Sequence, residues 1–159
     1  MPFVSKDTFK ERLYETFGSG EELQARIDEA GLAILFSVVE SQLREGVSVA
    51  AESNFDANSD VEPFRRLVEE HGVAVVQVHI GGEVDELVTK FVRRATEGDR
   101  HPGHGDEPED ADELRAKLES GLWEPLDLPG LLVRADLHED EATIVERVRA
   151  ALDEHPTSD

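Results

Sequence analysis

Polar residues close one of the predicted strands, at the position where α/β proteins bind their ligands. Glu52, Ser53 and Asn54 stand at the end of the stretch 47–52. Ligands of open α/β sheets bind outside the carboxyl ends of the strands, and a carboxylate there can contact Mg²⁺ through water. The alternative is an ordinary polar strand end. Glu52 and Asn54 are therefore candidate substrate-binding residues with both interpretations open.

Two histidines in a glycine- and acid-rich loop form the pattern His101-x-x-His104, with Asp99 and Asp106 nearby. Imidazole and carboxylate groups can bind metals, yet no third or fourth ligand stands at a recognised spacing. The pattern therefore favours loop histidines that order the turn or contact substrate. We predict no metal site and take His101 and His104 as candidate substrate-binding residues.

The sequence contains no phosphate-binding loop of the type G-x-x-x-x-G-K-[ST]. Such a loop needs a Gly-Lys pair, because backbone N–H groups cradle the phosphates while the lysine reaches the terminal ones. Each lysine of the chain follows a residue other than glycine: Lys6, Lys10, Lys90 and Lys117. A nucleotide cradle of this kind is therefore absent from these residues.

The elements that position these residues alternate between strands and helices in the hydrophobic pattern. Strands are predicted at residues 2–5, 47–52, 73–80 and 131–135. Helices are predicted at residues 7–17, 20–45, 63–71, 84–97, 110–119 and 140–152. This alternation indicates an α/β three-layer sandwich with a mostly parallel sheet.

Three of these elements carry more specific signals. Capping boxes are predicted at Ser19 with Glu22 and at Asp110 with Glu113. The long second helix has an apolar stripe: Leu23, Ile27, Ala30, Ile34, Val38 and Gln42 or Leu43. The strand at 73–80 is apolar along almost its whole length, which predicts burial on both faces of a parallel sheet.

Length and composition predict one domain over residues 1–155, with a lid-like loop at 98–108 and a tail at 156–159. Of the 159 residues 38% are hydrophobic, which suits a single core. No apolar run reaches the ~18 residues of a membrane span, and the start MPFVSKDTF does not resemble a secretory signal. The absence of cysteine excludes disulfides and thiolate metal sites. We expect a cytoplasmic protein.

The charge balance bounds the partners. The chain carries 37 acidic against 16 basic residues, a formal net charge of -21. A charge of this size repels nucleic acid and anionic membranes over most of the surface. We expect neither nucleic acid nor a membrane as partner.

Several stretches together resemble the small-molecule P-loop kinases, a group that includes chloramphenicol phosphotransferase, the gluconate kinases and the zeta toxins. SKDTFKERLYE resembles the segment after the first helix of that fold, and VSVAAESNF resembles its third strand. VDELVTKFVRRATEGDRHPGHGD resembles the helix that leads into an arginine-bearing lid, and WEPLDLPG resembles the close of the domain. The likeness spans nearly the whole chain and implies a kinase that uses ATP and Mg²⁺ to phosphorylate a hydroxyl of a small molecule.

The same resemblance lacks the first strand, the P-loop and the first helix, about 25 residues. In that fold the first strand lies between the strands at 47–52 and 73–80, so its absence leaves two apolar strand edges unpaired. Three expectations follow: the natural chain is longer, the two strands pair directly, or another chain fills the slot. The last would include a homo-oligomer.

The resemblance also implies roles for individual residues. Asp7 matches the acid that accepts the proton of the acceptor hydroxyl, which an oriented carboxylate can do; the alternative is a helix N-cap. Arg93, Arg94 and Arg100 match the lid arginines, whose guanidinium groups would clamp phosphate as cofactor-binding residues. The alternative for Arg93 and Arg94 is pairing with Glu97 and other acids on a solvated helix.

Two functions stay open from the sequence. The chain is an ATP-dependent kinase of a small hydroxylated molecule, or it is a non-catalytic kinase-like binding or interaction module. Because the glycine loop and its lysine are absent, we expect poor binding of ATP·Mg²⁺ and no turnover. We also expect the candidate residues of the strand ends and the lid to share one cleft, with the loop at 98–108 protruding.

Overall fold

A computed structural model describes residues 1–18, 20–98, 101–104 and 107–154. Its elements are β1 Phe3–Ser5, α1 Lys6–Phe17, α2 Glu21–Arg44, β2 Ala50–Glu52, α3 Val61–His71, β3 Val76–Gly81, α4 Val84–Glu97, α5 Ala111–Glu119, β4 Leu131–Asp136 and α6 Glu141–Glu154. Short 3₁₀ turns cover Pro102–His104 and Pro108–Asp110. The described strands pair in parallel, β1 with β2 and β3 with β4. The predicted mixed α/β class with parallel strands is confirmed.

The chain divides into two compact units, each built from two stretches of sequence. The first unit comprises Met1–Asn54 and Thr89–Asp112, and the second comprises Phe55–Val88 and the chain from Glu113 onward. Each holds one two-stranded parallel sheet.

The strand β2 is shorter than the predicted 47–52. Its partner β1 has only three residues, and the Ala50 amide already donates to the carbonyl oxygen of Pro2 at 2.9 Å, at the start of β1. A parallel ladder cannot extend beyond its shorter strand. The length of β1 therefore sets the length of β2.

The core of the first unit lies along one face of α2. Ile27, Leu35 and Val39 are 2%, 0% and 4% exposed, and Gly31 completes the four-residue spacing of this face. A Cβ at Gly31 would lie 3.1 Å from Cγ of Lys10 in α1, so the missing side chain lets α1 approach closely. The buried face is therefore centred one residue later than the predicted stripe through Ala30, Ile34 and Val38.

Ion pairs to Asp28 join α1 to α2. Lys10 is buried, yet its Nζ reaches Oδ1 of Asp28 at 2.5 Å, with the Lys6 ammonium 3.8 Å from the same oxygen. A buried ammonium is costly unless it is paired. Long side chains also bury their methylene stems while the charged end reaches a partner. Asp28 thus makes the burial of Lys10 compatible with folding.

In the second unit α6 packs against β3 and β4, and Val133, Ala135 and Ala151 are buried there. The segment before β4 is tied to β3 by a two-way hydrogen bond. The Gln77 amide donates to the Leu126 carbonyl oxygen at 3.0 Å and accepts from the Leu126 N–H at 2.9 Å. This exchange satisfies both polar ends of a half-buried side chain.

The predicted burial of the strand at 73–80 is wrong. The strand itself is β3, Val76–Gly81, and Val78 and Ile80 are 45% and 59% exposed. The reason is its position: β4 is its sole partner among the described strands. An apolar run signals a strand that could be covered on both faces, whereas coverage depends on neighbours that the run does not specify.

Helix ends follow local signals with two differences. α3 ends at Gly72, which adopts the left-handed conformation at φ 61°, as predicted from its glycine. Reciprocal capping occurs at Glu107 and Asp110, and the predicted capping box at Asp110 and Glu113 is wrong. Pro108 begins a 3₁₀ turn ahead of α5, so the cap lies three residues earlier than predicted. Ser19, the other predicted cap, lies outside the described residues. No helix in the described part of the chain is long and apolar enough to cross a membrane.

Candidate functional site

The carboxyl ends of β1 and β2 bring two polar side chains together in the first unit. Ser5 and Glu52 are register partners in the parallel pair, and the Ser5 hydroxyl donates to Oε2 of Glu52 at 2.6 Å. Parallel strands place their last residues at one edge, where α/β proteins bind ligands. Glu52 and Asn54 are both exposed, so this edge is accessible in the unit.

Asp7 enters the same region from α1. The helix begins at Lys6, directly after β1, with Ser5 as its N-cap and Asp7 in its first turn. The alternative interpretation of Asp7 as the N-cap is therefore wrong. A carboxylate in the first turn is stabilised by the positive end of the helix dipole. The side chain of Asp7 is 40% exposed, which leaves it accessible to a ligand.

The loop that was expected to protrude packs against α1 where it is described. We call residues 101–104 the strap. The His104 side chain is only 5% exposed, with Nε2 3.1 Å from Oε1 of Glu11 and Nδ1 3.7 Å from Oδ1 of Asp7. Because a carboxylate only accepts, the ring nitrogen Nε2 is the donor to Glu11. The expectation of a protruding loop is wrong for these residues.

Other residues of the strap contact α1 and α2. The His101 ring meets Tyr14 of α1 edge-on with centroids 5.5 Å apart, and its Nε2 lies 3.8 Å from Glu15. The carbonyl oxygen of the buried Gly103 accepts a hydrogen bond of 2.7 Å from Gln24 of α2. A Cβ at Gly103 would lie 3.0 Å from Cβ of Tyr14, so glycine permits this approach.

The partners of the two histidines lie on a face of α1 that was not predicted to contact them. Asp7, Glu11 and Glu15 follow each other at four-residue spacing and share one face of α1, which we call the acidic face. Like charges at this spacing repel one another, so a facing histidine offsets part of that cost. An uninterrupted acidic spacing on a predicted helix was the signal that could have indicated a basic or polar partner.

The arginines that were predicted to bind phosphate have different surroundings. Arg93 lies on α4 with Nε 3.9 Å from Oε2 of Glu97, which is the pairing foreseen as its alternative role. Arg94 is exposed in the last turn of α4. Arg100 lies outside the described residues. The structure therefore brings His104 and Asp7 together, and Ser5 with Glu52, while Arg93 has an acidic neighbour of its own.

The described donor groups differ from those that ATP and Mg²⁺ require. No group of three histidine, aspartate or glutamate side chains within the described ranges could hold a metal ion. The whole sequence contains no Gly-Lys pair for a phosphate cradle, and Arg93 is already paired with an acid. These residues do not fit a nucleotide-phosphate site by themselves, because phosphoryl groups need converging N–H donors and a cation.

Comparison with known proteins finds a similar solved structure. No protein-family model matches the chain, and no curated protein does. A solved crystal structure from Chloroflexus aurantiacus J-10-fl, described as "a putative kinase", is similar with a TM-score of 0.83 and 31% sequence identity. The match covers 96% of this chain and 84% of that one. The chain belongs to the same family as this protein, and its fold is kinase-like.

Proposed function

We propose that this chain binds a small hydroxylated molecule at the carboxyl ends of β1 and β2, as a member or a remnant of a family of ATP-dependent kinases that phosphorylate such molecules. Asp7, in the first turn of α1, contacts the acceptor hydroxyl and takes its proton where phosphate is transferred. Glu52, Asn54 and the strap histidines border the acceptor. The substrate is a small molecule, as in the kinase group that the sequence resembles, and a formal net charge of -21 disfavours nucleic acid.

The register pair Ser5 and Glu52 is the observation that carries this proposal. It fixes two polar side chains at one strand edge, and α1 starts directly after Ser5, so Asp7 is two residues from that edge. The kinase-like family supports phosphoryl transfer as the reaction class. A carboxylate near the attacking hydroxyl can accept its proton in such a transfer.

The chain has candidate residues for the acceptor molecule but lacks the phosphate-binding loop that would hold ATP. A kinase stabilises the transferred group with backbone N–H groups, a lysine and Mg²⁺, and the given residues lack the Gly-Lys pair that such a loop requires. This observation favours the second candidate function, a kinase-like module that binds the small molecule or another partner without transferring phosphate. ATP and Mg²⁺ as cofactors, and phosphate contacts by Arg94 and Arg100, belong to the first candidate alone.

Several finer assignments belong to the same proposal. They are membership of the P-loop group, a three-layer sandwich over one domain, and a cytoplasmic location. The expected homo-oligomer would form at β3. Its exposed residues Val78 and Ile80 lie on a strand with one described neighbour. Such an edge can pair with a second copy of the chain. The acceptor remains defined only by its class.

Two-dimensional ¹⁵N–¹H NMR of the chain with a panel of polyols, sugars and amino sugars tests the acceptor site. We expect ligands that bind to shift the amides of Ser5, Asp7, Glu52 and Asn54. Asp7→Asn should weaken that binding by about tenfold, because a hydrogen bond to a charged acceptor is lost. Glu146→Gln, a substitution of an exposed acid on α6, should leave binding unchanged.

Shifts confined to the second unit would contradict the acceptor site. Equal weakening by Asp7→Asn and Glu146→Gln would show that general electrostatics, and not a specific carboxylate, attracts the ligand. A ligand that binds but is never phosphorylated when ATP and Mg²⁺ are added favours the non-catalytic module. Phosphate transfer that Asp7→Asn abolishes favours the kinase.

A further inference from the structure

Two lysines of α1 direct their ammonium groups at one carboxylate of α2. Nζ of Lys10 lies 2.5 Å from Oδ1 of Asp28, and Nζ of Lys6 lies 3.8 Å from the same oxygen. The first contact is a close ion pair, whereas the second exceeds hydrogen-bond distance. Two ammonium groups against one carboxylate leave this cluster positive, in a chain whose formal net charge is -21.

Gly31 of α2 makes room for the stems of both lysines. A Cβ on Gly31 would lie 3.1 Å from Cγ of Lys10 and 3.6 Å from Cγ of Lys6. The Lys6 side chain is 21% exposed and the Lys10 side chain 10%. Long side chains bury their methylene groups in this way while the charged end stays at a polar partner. The glycine therefore lets Lys6 lie largely enclosed beside Asp28.

The Lys6 ammonium lacks a close acceptor. Among the described residues Asp28 is its ion-pair partner, and Lys10 already occupies the oxygen that Lys6 approaches. A largely enclosed charge is costly without a hydrogen-bonded partner, and an anion beside Lys6 would supply one. Lys6 also directly follows the carboxyl end of β1, between Ser5 and Asp7. Such an anion would therefore be bound at the same end of β1 as the proposed acceptor.

We propose that Lys6 binds an anionic group of the acceptor, so that the substrate class is a hydroxylated molecule that carries a carboxylate or a phosphate. An ammonium group binds either anion, as a point charge with three rotatable donors. Asp28 holds Lys6 in place and competes with the ligand for it. The place of the acceptor at the carboxyl ends of β1 and β2 rests on the proposed function. Anion binding at Lys6 by itself does not depend on it.

Four probes separate the anion from the hydroxyl groups. They are glycerol, glycerate, glycerol phosphate and inorganic phosphate, each titrated into the full chain and followed by ¹⁵N–¹H NMR. We expect the preferred acid to bind about tenfold more tightly than glycerol, because it adds a hydrogen bond between charged groups. The amides of Ser5, Lys6 and Asp28 should shift together. The preference between glycerate and glycerol phosphate distinguishes a carboxylate from a phosphate.

Two substitutions should change anion binding in opposite directions. Lys6→Met keeps an apolar stem without the charge, and should weaken binding of the acids about tenfold while glycerol is unaffected. Asp28→Asn removes the competing carboxylate and should tighten binding about threefold or more. A lysine with a purely structural role would not bind anions more tightly in Asp28→Asn. Lys117→Met and Glu113→Gln are the matched controls, since they remove the same charges from an exposed pair of the second unit.

Acid binding that Lys6→Met weakens and Asp28→Asn tightens, with both controls unchanged, supports the anion site. Equal effects of Lys6→Met and Lys117→Met would overturn it, since general charge would then attract the anion. Saturable shifts at Lys6 with none of the anions up to about 50 mM would overturn it as well.

Two further outcomes separate this site from the proposed function. Glycerol that shifts Ser5 and Glu52 and binds as tightly as both acids would overturn the anionic substrate class and leave the acceptor site intact. Anion shifts at Lys6 without shifts at Ser5 or Glu52 would keep the anion site and contradict its place in the acceptor site.

Discussion

The two units contain the same lysine–carboxylate contact with different surroundings. Lys10 and Asp28 in the first unit, and Lys117 and Glu113 in the second, both have Nζ 2.5 Å from a carboxylate oxygen. The first pair links two helices and encloses the lysine; the second spans one turn of α5 and lies open to solvent. The distance is equal, and the consequences for stability differ because solvent screens the open pair.

Long-range polar contacts and exposed apolar side chains occur in both units. His104 contacts Glu11 in the first unit, and Gln77 exchanges two hydrogen bonds with Leu126 in the second. Phe3 in the first unit is 70% exposed, as Ile80 in the second is 59% exposed. The contrast between the units therefore lies in how fully individual side chains, such as the paired lysines, are enclosed.

The largest expected effect is in the core. Leu35→Ala should lower the free energy of unfolding by about 2–5 kcal/mol, because a fully buried side chain leaves a cavity. Leu132→Ala is the matched substitution in the second unit. With Leu132 42% exposed, we expect a loss of about 1 kcal/mol or less. Urea unfolding of both variants measures the difference, and equal losses would abolish the contrast in enclosure.

The second-largest expected effect is at the strap, where Gly103 is buried. Gly103→Ala should cost about 1–3 kcal/mol, because its Cβ would lie 3.0 Å from Tyr14 and 3.0 Å from His101 Nδ1. Gly81→Ala should cost less, since the nearest atom is the side-chain ring carbon Cε1 of His79, at the longer distance of 3.2 Å. Thermal unfolding and amide exchange in the strap provide the comparison. A strap that exchanges equally slowly in Gly103→Ala would show that the space is not tight.

The paired lysines sharpen the comparison further. Asp28→Asn should destabilise the first unit by about 1–2 kcal/mol, because it leaves the Lys10 ammonium buried without its carboxylate. The figure is moderate since Asp28 itself is 40% exposed and solvent screens part of the loss. Glu113→Gln should change stability very little. Similar urea midpoints for Asp28→Asn and the natural chain would show that Lys10 finds another partner.

The smallest effect concerns pH in the open pair. The hydrogen bond and charge of Lys117 hold the pKa of Glu113 below its ordinary value of 4.5. A lowered folded-state pKa stabilises the fold above the ordinary value and loses that contribution as pH falls through the lowered one. Lys117→Met should therefore cost stability at neutral pH and cost nothing once Glu113 is protonated. A difference that grows towards acid pH would contradict this sign.

Local sequence patterns predicted the positions of the helices well and the contacts between helices poorly. The 3.6-residue period placed α4 at Val84–Glu97, and glycine placed the end of α3, because both signals act within a few residues. The buried face of α2 was misplaced by one residue, since the close approach of Lys10 at Gly31 decides it. Lys10 lies on another helix, so the spacing of apolar residues in α2 does not report this contact.

The candidate site combines predicted residues with contacts that were not predicted. Glu52 and Asn54 were predicted from their position after a strand, and Asp7 from the family resemblance; their roles in ligand binding stay predictions. The docking of the strap was missed, because it joins His104 to Glu11 across 93 positions of sequence. A loop rich in glycine, proline and acids resembles a solvated turn until its long-range partners are known.

Isothermal titration of the purified chain with ATP and Mg²⁺ tests most directly whether these residues form an acceptor site without a nucleotide cradle. We predict no saturable binding up to about 1 mM ATP, because no Gly-Lys loop fixes the phosphates. The formal net charge of -21 adds repulsion at low salt. A micromolar Kd would contradict this, since another element would then supply the cradle and the chain would hold both substrates of a kinase.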